Sequence, residues 1–498
     1  MKKKLIFLAF LIVCTLGALA QSPATRLDSL FKITTDRQMF NGNVLVAQDG
    51  RIVYERSFGY ADFEQKRLNE PSTGFQLASL SKVFTAVAIL QQYEKSRLKL
   101  DDPFSKYFPA FPYKDITIRG LLSHTSGLSD QDQDAAITDF EAKNKRRPAN
   151  QDLVPIIASA QVKLKLAPGQ KWWYCNLGYE LLATLVEKTS GQPFENYLRQ
   201  HIWAPAGMKD TYLKMPGTTA KATKANNYDY ESRYSPVRVR VDLDKPDYTE
   251  KSFGHSNIVS TAGDLFKLDQ ALYKGLLLKK SIIDLAATPD KLKDGSDNAV
   301  WMNIGGMGKA LDGLGWFIFK DQSAGKTSWH AGGMQGVVTI LLRNTDRKQT
   351  VILLDNTGSE GMYKTALNAL HILNNQPLVS NKKNLSRIYG RAMMEGGVDH
   401  GMALLQSFKP DTANYNLSEG DINNLGYALM ASRHQAEGLE ALKVNCLLYP
   451  LSDNVFNSYA EALAGSGKKQ EAILMYRRSL ALNPKNEDSQ KALQALLK

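Results

Sequence analysis

The most restrictive feature of this sequence of 498 residues is that its strand signals fall in two widely separated blocks. Residues 43–59 form two β-rich runs joined by Asp49-Gly50, a pair typical of a tight hairpin turn. From Gly313 onward, short apolar runs again alternate with turn residues, up to a helix predicted near residues 361–373. Because the chain between the blocks is helical and loop-rich, we predict a mixed α/β domain whose antiparallel sheet unites the two blocks.

Two further segments stand apart from this domain. Residues 210–255 are rich in tyrosine and read as an extended insertion, which could be a lid over a cleft or a plain surface excursion. After about Asn381 the strand signals end, and apolar residues recur at a spacing of 34, the period of tetratricopeptide repeats. The matching pairs include Leu429 with Leu463, Leu442 with Tyr476 and Pro450 with Pro484. An unrelated helical bundle stays open as an alternative, since two repeats are few for such an array.

The first residues have the pattern of a signal peptide. Lys2, Lys3 and Lys4 precede an apolar run, and Gly17-Ala-Leu-Ala20 provides an A-x-A cleavage site before Gln21. We therefore expect three parts: a signal peptide at 1–20, the α/β domain at 21–378 and an all-α, tetratricopeptide-like domain at 379–498. The protein would be secreted or periplasmic. Lipidation at Cys14 is a less favoured alternative, because the bulky Val13 precedes that cysteine.

Composition excludes several classes of function. The formal net charge of +12 is spread along the chain rather than gathered in blocks, so no nucleic-acid partner is implied. No segment after the signal peptide is long and apolar enough for a stable membrane span. Cys175 and Cys446 are expected to be free, mostly buried thiols. The sequence indicates neither a metal site nor a cofactor.

One of several S-x-x-K motifs has the surroundings of a catalytic site. Six copies begin at Ser29, Ser79, Ser96, Ser323, Ser380 and Ser466. Only the copy at Ser79 opens a long apolar helix, on which residues three apart share a face, so Lys82 would stand beside the Ser79 hydroxyl. The start of a helix also favours negative charge on a nucleophile.

Two later motifs supply the other groups that acyl transfer needs. Tyr174-Cys-Asn176 and His330-Ala-Gly332-Gly333 carry the only Y-x-N and H-x-G patterns in the chain. Lys82 would accept the Ser79 proton, Tyr174 would pass a proton to the leaving group, and Asn176 would orient Lys82 and bind a substrate carbonyl. The backbone N–H groups of Ser79 and Gly333 would form the oxyanion hole, and the two glycines would let a substrate lie along the strand.

Together these motifs resemble the serine β-lactamase and penicillin-binding protein superfamily, specifically its class C-like branch. The resemblance covers about residues 25–375 and includes Leu121–Leu128, Ala167–Tyr179 and Asn257–Leu265. It implies a β-lactamase-like transpeptidase fold, in which helices flank an antiparallel sheet and an all-helical subdomain is added. It also implies that Ser79 is the nucleophile, Lys82 its base partner and Tyr174 its proton shuttle, and that His330 heads the third motif.

The third motif departs from the pattern of β-lactamases, which usually place lysine first and a hydroxyl residue second. His330 is a weaker cation at neutral pH and Ala331 has no hydroxyl. We therefore expect a serine hydrolase that acts on an ester, an amide or a D-amino-acid peptide. A D-alanyl-D-alanine carboxypeptidase or a weak β-lactamase is an alternative.

An alternative from a different functional class is a catalytically idle scaffold whose C-terminal repeats bind a protein partner. The intact set of Ser79, Lys82 and Tyr174 favours an active enzyme with a small-molecule or peptide substrate, since a scaffold gains nothing from a nucleophile with its base.

Overall fold

The computed structural model describes residues 21–160, 163–214, 223–243 and 252–498. The predicted signal peptide at 1–20 and the lipidation alternative at Cys14 lie outside the described residues, as do parts of the tyrosine-rich insertion. Secreted or periplasmic localisation therefore stays a prediction. Among the described helices, none combines the length and the apolar character needed to cross a membrane.

The strands form one large sheet and several short pairs. In chain order they are β1 (Gly42–Gln48), β2 (Arg51–Phe58), β3 (Tyr60–Asp62), β4 (Arg67–Leu68), β5 (Phe75–Gln76), β6 (Tyr212–Leu213), β7 (Asn227–Tyr230), β8 (Arg238–Val241), β9 (Ile258–Ser260), β10 (Ala299–Val300), β11 (Ala310–Asp312), β12 (Phe317–Phe319), β13 (Thr327–Met334), β14 (Val337–Asn344), β15 (Gln349–Asp355), β16 (Lys383–Asn384) and β17 (Tyr415–Asn416).

The large sheet has the order β10-β11-β12-β13-β14-β15-β1-β2 and is antiparallel throughout. The β1–β2 hairpin turns at Asp49 and Gly50, whose φ angles of 52° and 73° are those that a two-residue hairpin turn requires. β1 pairs along its whole length with β15, from Gly42 opposite Asp355 to the other end of both strands. The prediction that one antiparallel sheet unites the two strand blocks is confirmed.

Helices cover both faces of this sheet and form the C-terminal region. They are α1 (Pro23–Asp36), α2 (Lys82–Glu94), α3 (Ile118–Leu122), α4 (Asp130–Asn144), α5 (Asn150–Ala160), α6 (Asn176–Ser190), α7 (Phe194–Leu198), α8 (Ala204–Ala206), α9 (Ala262–Tyr273), α10 (Lys280–Ala286), α11 (Met362–Leu373), α12 (Leu385–Phe408), α13 (Glu419–Ala431), α14 (Gln435–Leu448), α15 (Asp453–Gly465), α16 (Lys469–Leu482) and α17 (Glu487–Leu497).

The two faces of the sheet belong to two different cores. In β1, Val44 and Val46 pack with α1 and α11, whereas Leu45 and Ala47 pack with the larger core that contains α2 and α6. Alternate strand residues point to opposite faces, so a strand covered on both sides must be apolar throughout. Together with the sheet order, these two cores give the β-lactamase-like α/β architecture that the sequence resemblance implied.

The C-terminal region is helical, as predicted. Helix α12 is interrupted at Gly397, whose φ is +78°, and α13–α14 and α15–α16 then pack as helix pairs before α17. The short β16–β17 pair is a small correction, since the sequence predicted no strand there. Tyr234 of the insertion is buried in the core formed by α12, α13 and α14, so this region rests on the insertion. The domain boundary at 378 and the tetratricopeptide-like assignment stay predictions.

A buried ion pair fixes α9 to the sheet and gives a first prediction. Asp269 and Arg343 are 4% and 3% exposed and form a direct ion pair. Asp269→Ala leaves a buried guanidinium without its partner, so we expect a loss of about 3–5 kcal/mol in the free energy of unfolding. All six tryptophans lie between residues 172 and 329, so tryptophan fluorescence during urea unfolding reports on the sheet domain. Asp284→Ala, which breaks the exposed pair with Lys280, is the control, and an equal effect of both variants would contradict the prediction.

Candidate active site

Ser79 lies on a short 3₁₀ turn, Ala78–Ser81, that leads directly into α2. Ala78 has a φ of +48°, a conformation that costs a non-glycine residue roughly 1–3 kcal/mol and persists only where packing holds it. Ala78 and Leu80 are buried, whereas Ser79 is half-buried. Ser79 is thus the one partly exposed residue of this turn, and it lies at a helix start that favours negative charge.

Lys82 is completely buried, with 0% of its surface exposed. Its Nζ lies 3.2 Å from Ser79 Oγ, 2.7 Å from Asn176 Oδ1 and 3.2 Å from the carbonyl oxygen of His255. Nζ also lies 4.9 Å from the centre of the Tyr174 ring. In the structure Nζ donates to all three oxygens; as a neutral amine it would keep two hydrogens for the Asn176 and His255 oxygens and turn its lone pair toward Ser79 Oγ. The geometry therefore suits proton transfer from the serine to the lysine.

Tyr174 also reaches Ser79. Its hydroxyl forms a hydrogen bond with Ser79, and burial raises its pKa. The hydroxyl therefore stays protonated at neutral pH and can donate to a leaving group. The Tyr174 ring stacks on His124, with ring centroids 4.4 Å apart. Burial, followed by the charge of Lys82, lowers the pKa of His124, so this histidine is a neutral packing partner.

Asn176 is oriented by a residue that the sequence analysis missed, Asp130. The Asn176 side chain donates from Nδ2 to Asp130 Oδ2 at 2.9 Å while its Oδ1 accepts from Lys82. The backbone N–H groups of Asn176 and Leu177 donate to Asp130 at 3.0 Å each. These are the first N–H groups of α6, which lack partners within the helix. One carboxylate thus caps α6 and fixes which amide atom faces Lys82.

The third motif lies on an open strand edge. Within the described residues, pairing of β12 with β13 ends at Trp329, whereas β14 pairs with β13 as far as Met334. The edge of residues 330–334 on the β12 side is therefore available to a substrate that runs along it. The Tyr363 hydroxyl donates to the carbonyl oxygen of Gly332 at 2.8 Å and fixes this part of the strand from α11.

The two glycines of this motif have different surroundings. A Cβ on Gly332 would lie 2.0 Å from the Leu77 carbonyl oxygen and 2.4 Å from Thr339 Oγ1. Gly332 is therefore required by the close approach of β13 to Leu77, directly before the turn that carries Ser79. Gly333 is exposed, as expected for a residue whose backbone meets a substrate. The sequence analysis gave both glycines the same role, but successive strand residues face opposite sides.

His330 is 2% exposed and lies within the electrostatic reach of Lys82. Burial, followed by the charge of Lys82, lowers the pKa of His330 to about 3. Its Nδ1 lies 2.9 Å from the carbonyl oxygen of Ala331. His330 is therefore neutral at physiological pH, and it cannot offer a substrate carboxylate the charge that a lysine would.

The side chains of Ser79, Lys82, Tyr174 and Asn176 thus meet at one site, and His330, Gly332 and Gly333 lie on the adjoining strand β13. Beyond Asp130, the sequence analysis missed the carbonyl of His255 and the hydroxyl of Tyr363. Only the position of Asp130, two residues after the Leu121–Leu128 motif, offered a signal. Across the described residues, no group of three or more His, Cys, Asp or Glu side chains is placed to hold a metal ion.

Comparison with known proteins gives consistent matches over the sheet domain. Residues 27–375 match the family model described as β-lactamase. Penicillin-binding protein 4* of Bacillus subtilis (strain 168) is 33% identical over 367 residues, which cover 72% of this chain and 77% of that protein. The crystal structure of a penicillin binding protein from Bacillus halodurans is 27% identical in sequence, with a TM-score of 0.56. The alignment covers 69% of this chain and 99% of that protein's chain.

The structure of a D-amino acid amidase from Ochrobactrum anthropi SV3 is 21% identical in sequence, with a TM-score of 0.56. The alignment covers 71% of this chain and 99% of the amidase chain. At this identity the likeness shows the fold alone.

The role of Asp130 can be tested directly. Asp130→Ala removes the acceptor that orients Asn176, so the Lys82 amine loses its alignment with Ser79. We expect the kcat for a small p-nitrophenyl ester to fall by as much as ~100-fold, the scale of a misplacement of about 1 Å at reacting groups. Asp134→Ala, at an exposed position on the same helix, is the control. Unchanged kcat in a folded Asp130→Ala variant would show that Asn176 is held by other contacts.

The buried, neutral state of His330 predicts how stability depends on pH. In the unfolded chain a histidine binds a proton below about pH 6.5, whereas folded His330 does so only near 3. The unfolded state therefore binds more protons in this window, so His330 lowers stability as the pH falls from about 6.5 toward 3. One proton corresponds to about 1.4 kcal/mol per pH unit, and His330→Gln should reduce the slope of the unfolding free energy by up to that amount. His400→Gln, at an exposed histidine, is the control, and an identical slope in His330→Gln would refute the prediction.

Proposed function

The chain belongs to the β-lactamase family, and from this membership we propose that it is an exported serine hydrolase that works through a covalent acyl-enzyme. Its substrate would be an ester, an amide or a D-amino-acid peptide. The observation that carries the proposal is the position of the buried Lys82 amine, 3.2 Å from Ser79 Oγ and aligned by Asn176 and His255.

Acylation would proceed through three proton transfers. Ser79 Oγ attacks the carbonyl carbon of the substrate and its proton passes to Lys82 Nζ. The carbonyl oxygen becomes an oxyanion held by the backbone N–H groups of Ser79 and Gly333. When the bond to the leaving group breaks, Tyr174 gives that group its proton and takes one back from Lys82. Lysine and tyrosine return to their initial states, and the acyl group remains on Ser79.

Deacylation would use the same groups in reverse order. A water molecule attacks the acyl carbon and gives its proton to the Lys82–Tyr174 pair, and the same two N–H groups hold the second oxyanion. The bond between the acyl carbon and Ser79 Oγ breaks, and the pair returns a proton to the serine. The product is a carboxylic acid, and no cofactor is required.

The third motif supports an ester or amide substrate over an antibiotic. A penicillin carries a carboxylate, and the neutral, buried His330 and the methyl group of Ala331 offer that carboxylate neither charge nor hydroxyl. Placement in the class C-like branch, export by the signal peptide at 1–20 and a protein partner at the C-terminal helices stay predictions.

A fluorophosphonate tests the proposal, since it forms a stable tetrahedral adduct on an activated serine. We expect intact-mass analysis to show one adduct, located on Ser79 and absent in Ser79→Ala. Ser96→Ala is a matched control, because Ser96 begins another S-x-x-K motif and is exposed. Labelling that persists in Ser79→Ala, or no labelling of the unmodified protein, would overturn the proposed mechanism.

A further inference from the structure

A cavity of about 460 Å³ lies where the C-terminal helices meet the sheet domain. Its walls come from the β7–β8 hairpin, the tip of the β13–β14 hairpin, the loop after β15 and the beginning of α12. Five cationic side chains and three carboxylates line it, so the lining carries a net positive charge. The cationic residues are Arg233, Arg238, Lys383, Arg387 and Arg391, and the acidic residues are Asp229, Glu231 and Glu360.

Three of the cations come from one stretch of the C-terminal region. Lys383, Arg387 and Arg391 are spaced by four residues, at and within the start of α12. The Arg391 guanidinium lies 3.2 Å from the centre of the Tyr230 ring, and that of Arg238 lies 5.0 Å from the same ring. Two like charges on one tyrosine repel each other unless an anion compensates them.

The structure supplies little of that compensation. In the described part of the chain, Arg387 pairs with Glu360, whereas the other four cations have no carboxylate oxygen within 4.0 Å. The Nε atoms of Arg387 and Arg391 are buried and have no hydrogen-bond acceptor. A buried charged donor without an acceptor is costly and rare in folded proteins. Both nitrogens are donors that an anionic ligand of this cavity would satisfy.

The electrostatics agree with this geometry. Burial, followed by the charges of Arg391 and Arg37, lowers the pKa of Lys383 to about 8. Burial, followed by Arg233 and Arg391, lowers the pKa of Arg387 to about 10. Both shifts mean that the surroundings disfavour the cationic forms, and an anion bound among these side chains would raise both pKa values.

The cavity continues the open edge of β13. Gln335, which lines it, lies in the β13–β14 turn two residues beyond Gly333, so at most about 7 Å separates their Cα atoms. Both residues are exposed. Val241 of β8 packs against Ala78, beside the nucleophile, and Arg238 at the other end of that strand lines the cavity.

The leaving group would lie toward the other end of β13. Tyr174, which would protonate it, contacts Trp172. Trp172 contacts Phe317, which stacks on His330. A substrate along this edge would therefore place its leaving group near His330 and its acyl portion toward Gln335.

We infer that this cavity binds an anionic group, a carboxylate or a phosphate, at the far end of the acyl portion of the substrate. The inference rests on the proposed function, because it takes Ser79 as the site of acylation. Planar guanidinium groups bind both anions through paired hydrogen bonds. The C-terminal region would thus select substrates for a nucleophile that it does not itself contain.

Matched ester pairs test the inference in the unmodified protein. The p-nitrophenyl half-ester of sebacic acid has a free terminal carboxylate, and its methyl-capped form differs only in that group. We expect kcat/KM to be roughly tenfold or more higher for the free acid, the scale of a charge-assisted hydrogen bond. The succinic pair, too short to pass Met334, should show a ratio near one. A third substrate, a p-nitrophenyl decanoyl ester that carries a terminal phosphate in place of the carboxylate, shows which of the two anions is preferred.

Variants assign the preference to the cavity. Arg391→Gln should bring the long-chain ratio close to one, and Arg391→Lys, which keeps the charge but not the planar donor pair, should restore part of it. Arg477→Gln, at an exposed arginine of α16, should leave the ratio unchanged. A long-chain ratio near one for both anions in the unmodified protein, or a ratio unaffected by Arg391→Gln, would overturn the inference.

Failure of the proposed function gives a different result, namely no turnover of any ester and no fluorophosphonate adduct on Ser79. In that case calorimetric titration with free sebacate decides the remaining question. Binding that is lost in Arg391→Gln supports an anion site in this cavity, and no detectable binding refutes it.

Discussion

A fully buried lysine is tolerated only if its polar hydrogens find acceptors, and Lys82 finds them in distant parts of the chain. Ser79 Oγ is local, Asn176 Oδ1 lies at the start of α6, and the His255 carbonyl lies just before β9. The hydrogen bonds of Lys82 Nζ thus fix the positions of three segments relative to one another: the turn at Ser79, the start of α6 and the loop before β9. Asp130 extends the constraint to α4, because it caps α6 and orients Asn176 at once. The same contacts that offset the free-energy cost of burying Lys82 also align its amine with Ser79.

The sheet side of the cleft is held by a second close contact, between the nucleophile turn and β13. The Leu77 carbonyl accepts a hydrogen bond from Thr339 Oγ1 at 2.7 Å, and Gly332 lets β13 approach that carbonyl without a side chain. The left-handed backbone of Ala78 follows directly and turns the chain into α2. A strained backbone conformation of this kind persists only where the surrounding packing holds it in place. Here β13, the turn at Ser79 and α2 together hold Ala78. The oxyanion donors proposed for Ser79 and Gly333 therefore belong to two elements whose separation is fixed by backbone contact.

Local sequence chemistry predicted much of this arrangement. Asp49-Gly50 specifies its hairpin through backbone conformation, and the motifs around Ser79, Tyr174 and His330 are short enough to recognise within one element. The contribution of His255 could not be predicted, and the sequence position of Asp130 was the only signal of its role, since both contacts form only when segments far apart in sequence pack together. The role of Gly332 was misjudged for a related reason: a glycine in a strand signals a close approach, but the sequence does not say whether a substrate or another backbone approaches. Likewise, nothing in the sequence indicated that Lys383, Arg387 and Arg391 meet the β7–β8 hairpin around Tyr230.

The short strand β8 makes the division between the two parts of the chain less sharp than the sequence suggests. Val241, at one end of β8, packs with Ala78 and Val337 beside the nucleophile turn. Arg238, at the other end, shares the Tyr230 ring with Arg391 of α12. Nearby, Tyr234 is buried among the C-terminal helices. Arg391 of α12 therefore contacts the β7–β8 hairpin at one end, and β8 packs at its other end beside the turn that holds Ser79. The C-terminal helices lie outside the part of the chain that matches the β-lactamase family, yet this hairpin connects them by direct packing to the surroundings of Ser79.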